Sequence, residues 1–438
     1  MPTTTFKAKC LHANGGLRCS KQHAHCREIV SDVYSHHKRN FRHFSRAIRI
    51  LKKLSGEYSW TLWNQSELAF VLHSRTNDLI APTEFSRRCP CGQHKQAHLN
   101  YIKVDAAQFF KNANMSRGVA RIQQLLALHS KRSNLRHVAV SKYGKAHGYL
   151  CKAKHDSQAY RIIAFSDIEA FLQYSLRDRF FLVGDAVIQR EVGWAMGAAI
   201  SEPATLVDMG YTINDLQQNP RKLQDIGWNL GDHKFNRLIC GATHVDDSII
   251  GSFVFCHQCL QHGIEQAWPA DFGISVEEVS PCIRFLSSWI TVLDDQLHIT
   301  THHPNISFCL GFRQDQKVAR LGPYVSGTSR FDTLRSFMIG QITTYNYMLR
   351  GSQDNCILVV QGLLKEVCLL GWPQNWIHRA LAAIPRRHMS TFTRALRKLG
   401  YQLRRNDINQ IFDNALMIQN VRSNEVFAHI MQYVIENQ

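Results

Sequence analysis

Two adjacent aspartates, Asp246 and Asp247, sit in the stretch GATHVDDSIIG, residues 241–251. Leu-Ile-Cys precedes this stretch and Ser-Ile-Ile-Gly-Ser-Phe-Val-Phe follows the pair, so the pattern predicts a hydrophobic hairpin with both carboxylates at its tip. Neighbouring carboxylates repel, and a chain that keeps both needs something that offsets the repulsion. A third carboxylate, Asp105, ends the apolar run of Tyr101, Ile102 and Val104 in LNYIKVDAAQFF. Three carboxylates on adjacent strands suit hard cations that take oxygen ligands. Two Mg²⁺ ions about 3.5–4 Å apart would organise an in-line phosphoryl displacement, one at the attacking hydroxyl and one at the leaving pyrophosphate. The reading requires the strand of Asp105 to lie beside the hairpin. A bare Asp-Asp pair is weak evidence by itself, since Asp294–Asp295 is another in the same chain.

The elements that must position these residues can be read from periodicity. RNFRHFSRAIRILKK, Arg39 to Lys53, has Phe41, Phe44, Ile48 and Leu51 on one face and predicts a basic amphipathic helix. After Asp105 a helix is predicted with Ser116 as N-cap and Val119, Ile122, Leu125 and Leu126 as its apolar stripe. Residues 166–177 predict another, with Ser166 and Glu169 at capping-box spacing. VGWAMGAAISEPATLVDMG predicts a Gly-rich turn, then a helix capped by Ser201, with Pro203 in its first turn and Gly210 at its end. Residues 284–312 read as strand-rich, and from about Phe331 onward the pattern is helical. The alternation implies an α+β body with a helical appendage.

Composition bounds the function. The 438 residues are 45% hydrophobic and 20% charged, which fits a globular chain large enough for two or three packed regions. No apolar run approaches the ~20 residues of a membrane helix, and MPTTTFKAKC lacks the apolar core of a secretory signal. An intracellular, non-secreted protein with no membrane partner is expected, its 13 cysteines reduced. Lys plus Arg number 52 against 34 Asp plus Glu, a net charge of +18, which points to a polyanionic partner, nucleic acid first. Cys10, Cys19, His23, His25 and Cys26 have no tidy paired spacing, and Cys89 and Cys91 are a further loose pair, so structural Zn²⁺ is not expected.

VDAAQFF, GWAMGAAIS and HVDD occur in the order of three polymerase motifs of the reverse transcriptases, and the chain resembles that superfamily. The likeness is to retroelement enzymes such as Penelope-like elements and to their telomerase relatives. REIVSDVYSHHKR resembles the family's fingers segment, and IRFLSSWITVLDDQLHITTHHPN its strands after the hairpin, so the resemblance covers roughly residues 20–312. It implies a right-hand polymerase: fingers mostly from residues 1–100, interleaved with the palm; a palm with an antiparallel sheet over about 101–312; and a helical thumb and C-terminal region over 313–438.

The implied activity is RNA-directed DNA synthesis from a primer 3′-hydroxyl and dNTPs, with two Mg²⁺ ions, or Mn²⁺ in their place, held by Asp105, Asp246 and Asp247. Partners would be an RNA template and a DNA primer, and a nuclear location follows by the same resemblance. Phe110 would close off the sugar 2′ position, where a ring excludes the hydroxyl that marks RNA precursors; Phe109 and Phe110 also fit a plain core role. Gly193, Met196, Gly197 and Ser201 would shape the floor under the template base and nucleotide. Arg27, with Lys21, would reach the triphosphate, and Gln189 would touch the nucleotide. His302, His303 and Lys317 are alternatives for protonating pyrophosphate. RRHMSTFTRALRKLGYQLRR, residues 386–405, would track the nucleic-acid backbone through Arg386, Arg387, Arg394, Arg397 and Lys398. His244 stands where the family has Tyr or Phe, and Glu28 where it has Pro. A catalytically silent nucleic-acid-binding relative and an RNA-dependent RNA polymerase remain the alternatives.

Overall fold

In the computed structural model, residues 5–8 and 28–31 are described and, from 38 on, all but 58, 81–88, 90, 93–97, 107–108, 144–146, 178–179, 184–185, 196–197, 229–232, 302, 313–319, 349–352, 384–418, 420, 422–423 and 437–438. Lys21, Arg27, Met196, Gly197, His302, Lys317, Arg386, Arg387, Arg394, Arg397 and Lys398 therefore lie outside the described residues.

Strands and helices are mixed, as the alternation predicts. Strands β1 (Thr5–Ala8) and β2 (Glu28–Ser31) are followed by β3 (Asn100–Ala106), β4 (His137–Ser141), β5 (Gly148–Cys151), β6 (Tyr160–Ala164), β7 (Phe180–Val183) and β8 (Ala186–Gln189). The remainder are β9 (Cys240–His244), β10 (Asp247–Ser252), β11 (Ile274–Val279), β12 (Cys282–Phe285), β13 (Ser288–Leu293) and β14 (Gln296–Thr301). They form sheets in the orders β2-β1-β7-β8, β5-β4-β6, β11-β3-β10-β9 and β12-β13-β14.

The β11-β3-β10-β9 sheet is antiparallel throughout. Its edge strand β9 is covered: Leu62 N–H donates to Thr243 O at 2.8 Å and Thr243 N–H to Trp60 O at 2.7 Å. This pairing consumes backbone groups that an open edge would expose. Alternation along β3 sends Ile102, Val104 and Ala106 into a core with Trp60, Trp228, Phe235 and Phe272. Tyr101 points into a different cluster with Cys240, Ala242 and Ile249. Each fully buried side chain of this size contributes roughly 1.5–3 kcal/mol, so both faces of the sheet are held at their apolar end.

The helix Ser201–Gln218 is buried nearly all round, from Ala204 and Val207 to Ile213 and Leu216. Ala204 and Val207 join the core of the helices Lys38–Leu54, Met115–Ser133 and Phe165–Arg177, while Met209, Ile213 and Leu216 join the core under β3. A helix that is apolar on every side belongs between two cores. Among the described residues, the C-terminal helices Phe331–Met348, Gln353–Leu369 and Gln374–Ala382 build a separate core around Met338, Val360, Leu364 and Trp372.

Several local expectations change. Asn114, not Ser116, caps the helix Met115–Ser133, accepting from Arg117 N–H at 3.0 Å. The helix Phe165–Arg177 starts one residue early, so Ser166 lies inside it, and Asp167 accepts from Ala164 N–H at 3.3 Å instead of a capping box forming. Ser201 is the first helical residue; its hydroxyl donates to Ala195 O at 2.6 Å rather than accepting as a cap. Gly210 sits mid-helix, where an added Cβ would meet Lys52 Cε at 2.7 Å, so its missing side chain makes room and does not end the helix.

Candidate active site

The expected neighbourhood of Asp105 and the hairpin forms. Asp247 is the register partner of Asp105 across β3 and β10, and of His244 across β9. Val245 and Asp246 therefore make a two-residue turn. Its backbone grips the end of β3, with Ala106 N–H donating to Asp246 O at 3.3 Å. Val245 has φ +61°. A β-branched residue there is strained by roughly 1–3 kcal/mol, a cost found mostly where geometry serves function.

The electrostatics record crowded like charge. Burial, then the Asp246 carboxylate, push Asp247 up from 3.8 to about 6. Lys103 pulls it down, while Asp105 and Glu277 push it further up. Lys103 is two residues before Asp105 on the same face of β3 and pairs with Glu277 at 2.7 Å, beside a register shift in β11. Among the described residues, one group of three or more His, Cys, Asp or Glu has all its ligand atoms within 4.8 Å of one another, and it is a cysteine group, so the aspartate trio is more open than that. Acid-only oxygen donors, one of them pushed up by burial and by the neighbouring carboxylates, fit a hard divalent cation.

The second Asp-Asp pair is a contrast. Asp294 and Asp295 form the β13–β14 turn, with φ +49° and +59°. Asp295 accepts from Leu99 N–H at 3.0 Å and lies 3.2 Å from His98 Nδ1, so its carboxylate is occupied in tying the turn to the start of β3.

Phe110 and Gly193, 83 positions apart in the chain (193 − 110), meet directly. Gly193 has φ +76°, and a Cβ there would lie 2.0 Å from Lys111 O and 2.4 Å from Phe110 O. Trp194 N–H donates to Phe110 O at 2.5 Å. Only glycine combines that φ with that approach. The Phe110 ring is half-buried against two cores. Gln189 is exposed at the end of β8, and Ser201 is buried.

Arg117 clamps this region. Its Nε donates to Asp208 Oδ2 at 2.9 Å, and its two terminal nitrogens reach Asp271 at 2.6 and 2.7 Å. Burial raises Asp208 although Arg117 opposes it, whereas at the more open Asp271 the Arg117 bonds outweigh burial and lower the carboxyl. Asp271 also accepts from Asn114 N–H at 3.0 Å.

His303 does not serve as an exposed proton donor. It is fully buried, with Nε2 2.7 Å from Glu366, and Arg320 contacts both. His244 Nδ1 is buried and has no hydrogen-bond partner among the described residues.

Sequence reasoning missed Lys103 and Glu277. Alternation would have placed Lys103 beside Asp105; the irregular pairing that brings in Glu277 leaves no such signal. It also missed that Cys89, Cys91, Cys256 and Cys259 come together, although the Cys256-x-x-Cys259 spacing was there to read.

No protein-family model matches the chain, and no curated protein matches it. Among solved structures it is similar to telomerase from Candida albicans in complex with a TWJ fragment of telomeric RNA, at 14% identity and TM-score 0.48 over 90% of this chain. It is similar to apo telomerase from Candida tropicalis at 13% identity and TM-score 0.46 over 85% of this chain. A further likeness is to the BmCPV RNA-dependent RNA polymerase at elongation state, at 10% identity and TM-score 0.37 over 79% of this chain. The chain spans 56%, 60% and 25% of those three chains' lengths.

Proposed function

We propose that the chain is an RNA-directed DNA polymerase that extends a primer 3′-hydroxyl with deoxynucleoside triphosphates on an RNA template. The observation that carries this reading is the register of Asp105 against Asp247, with Asp246 at the adjoining turn. The approach of Gly193 to the backbone of Phe110 and Lys111 supports it, since it joins two of the three motif segments. The surplus of +18 suits a nucleic-acid partner.

Asp105, Asp246 and Asp247 would hold divalent cations. Mg²⁺ or Mn²⁺ would supply activation of the hydroxyl and neutralisation of charge on the leaving pyrophosphate. The chain's own contribution is position rather than covalent chemistry. The β3–β10 register fixes two carboxylates opposite one another, and the tight turn sets the third. Lys103, tied to Glu277, limits the net negative charge beside Asp247. Phe110, held at its carbonyl by Trp194 N–H, would stand against the 2′ carbon of the incoming sugar.

Primer extension with Mg²⁺ or Mn²⁺ tests the reading. Wild type is expected to extend a DNA primer on RNA, and Asp105→Ala and Asp246→Ala to lose about a thousandfold or more. Phe110→Ala is expected to shift the choice between ribo- and deoxyribonucleotides by about 10–100-fold toward the former. Tight RNA binding without extension would mark a silent relative. Wild-type preference for ribonucleotides, unmoved by Phe110→Ala, would mark an RNA-dependent RNA polymerase.

A further inference from the structure

Four cysteine sulfurs converge away from the aspartates, from two segments far apart in the chain. Cys89 and Cys91 come from the stretch before β3, and Cys256 and Cys259 from the segment after β10. All four sulfurs lie within 4.8 Å of one another, and Cys91 Sγ is 3.8 Å from Cys256 Sγ. Around a tetrahedral zinc with bonds of ~2.3 Å, neighbouring sulfurs are separated by about 3.8 Å.

Local backbone geometry supports the convergence. Gly92 N–H donates to Cys89 O at 2.8 Å, and Gly92 has φ +70°. Cys256 is the N-cap of the helix His257–Ala267, and Cys259 lies in its first turn. Thiolates there face the positive end of the helix dipole. Cys256 N–H donates to Cys89 Sγ at 3.3 Å, a bond that stabilises sulfur as thiolate. Trp228 Nε1–H donates to Cys259 O at 3.0 Å and anchors the helix start to the core.

Cys89 and Cys256 are buried, while Cys91 and Cys259 are partly exposed, which leaves an entry path. Four sulfurs with no oxygen donor select a soft or borderline cation over Mg²⁺. A closed set of four protein ligands is the structural type of zinc site, with no position left for substrate.

We propose that Cys89, Cys91, Cys256 and Cys259 bind one structural Zn²⁺, which staples the segment before β3 to the segment after β10. The site is independent of the polymerase reading. It ties the chain before β3 to the chain after β10, where Ser252 pairs with Asn100 at the opposite end of the ladder from Asp105 and Asp247.

Metal analysis of the full chain, purified without chelator or metal-affinity resin, is the test. About one zinc per chain is expected, falling below a tenth in Cys89→Ser/Cys91→Ser and unchanged in the control Cys151→Ser. Should the double variant fail to fold, Co²⁺ exchanged into wild type replaces that arm: visible ligand-field bands with thiolate-to-cobalt charge transfer are expected. Primer extension run in parallel separates loss of this site from failure of the polymerase reading. The proposal is overturned if the folded chain lacks stoichiometric zinc, if iron takes its place, if the four thiols are found in disulfides, or if Co²⁺ shows no thiolate bands.

Discussion

Asp247 concentrates the account at the scale of single residues. It faces Asp105 across the ladder, follows Asp246 at the turn and is pulled down by the Lys103 ammonium. Motif order predicted that Asp105 would lie beside the hairpin, and the register of Asp105 with Asp247 has it there; Asp294–Asp295, identical as a dipeptide, instead has its second carboxylate bound to Leu99 N–H. Lys103 could have been found by counting in twos along β3. At Gly193 the close backbone approach that glycine permits is made to Phe110 and Lys111. Gly193→Ala would drive a methyl into Lys111 O and hold alanine at φ +76°. A loss of about 1–3 kcal/mol is expected, read by denaturant unfolding, together with reduced extension. Unfolding and extension both equal to wild type would show that the two segments do not need this approach.

At the scale of elements, periodicity predicted the strand of Asp105, the hairpin and the helices around 39–53, 116–126, 166–177 and 201–210, but not their ends, and it predicted neither the strands over 137–164 and 180–189 nor the helix His257–Ala267. Asn114 displaced Ser116 as cap, and Ser201 donates to a carbonyl because the preceding loop offers Ala195 O within reach. Gly210 misled because glycine marks helix ends and also close helix contacts; only packing against Lys52 decides between them. The Arg117 clamp was invisible, since Asp208 and Asp271 lie 91 and 154 positions away. It ties the helices Met115–Ser133 and Ser201–Gln218 to the turn at Asp271. Asp208 is 4% exposed, so Arg117→Ala leaves a buried carboxyl without its hydrogen-bonded counter-ion, with only the more distant pull of Arg121. A loss of about 3–5 kcal/mol is expected, partly restored by adding Asp208→Asn. If the single variant melts as wild type does, the clamp does not hold these elements.

At the scale of the whole molecule, His303 and Glu366 link the segment after β14 to the C-terminal helix Gln353–Leu369. Burial, offset in part by Glu366 and reinforced by Arg320, lowers His303 from 6.5 to about 4. Its contribution to stability is present above pH 6.5 and is lost as the pH falls toward 4. Glu366 is lowered too, by His303 and Arg320 against burial, so it adds a loss of the same sign at more acid pH. The thermal midpoint is expected to drop between pH 7 and 4, less steeply in His303→Gln; equal slopes would refute the role of His303. His73, His129 and His257 are also lowered by burial and leave a residual slope in the variant. Among the described residues, no helix is long and apolar enough to cross a membrane.

Whether Asp105, Asp246 and Asp247 jointly hold divalent cations is read by counting bound Mn²⁺ with electron paramagnetic resonance. With primer, template and nucleotide present, about two ions are expected on wild type, with binding lost or sharply weakened in Asp105→Asn, Asp246→Asn and Asp247→Asn alike. Wild-type Mn²⁺ binding by Asp105→Asn would contradict joint binding, because the strand register would then bring together a carboxylate that the metal does not use.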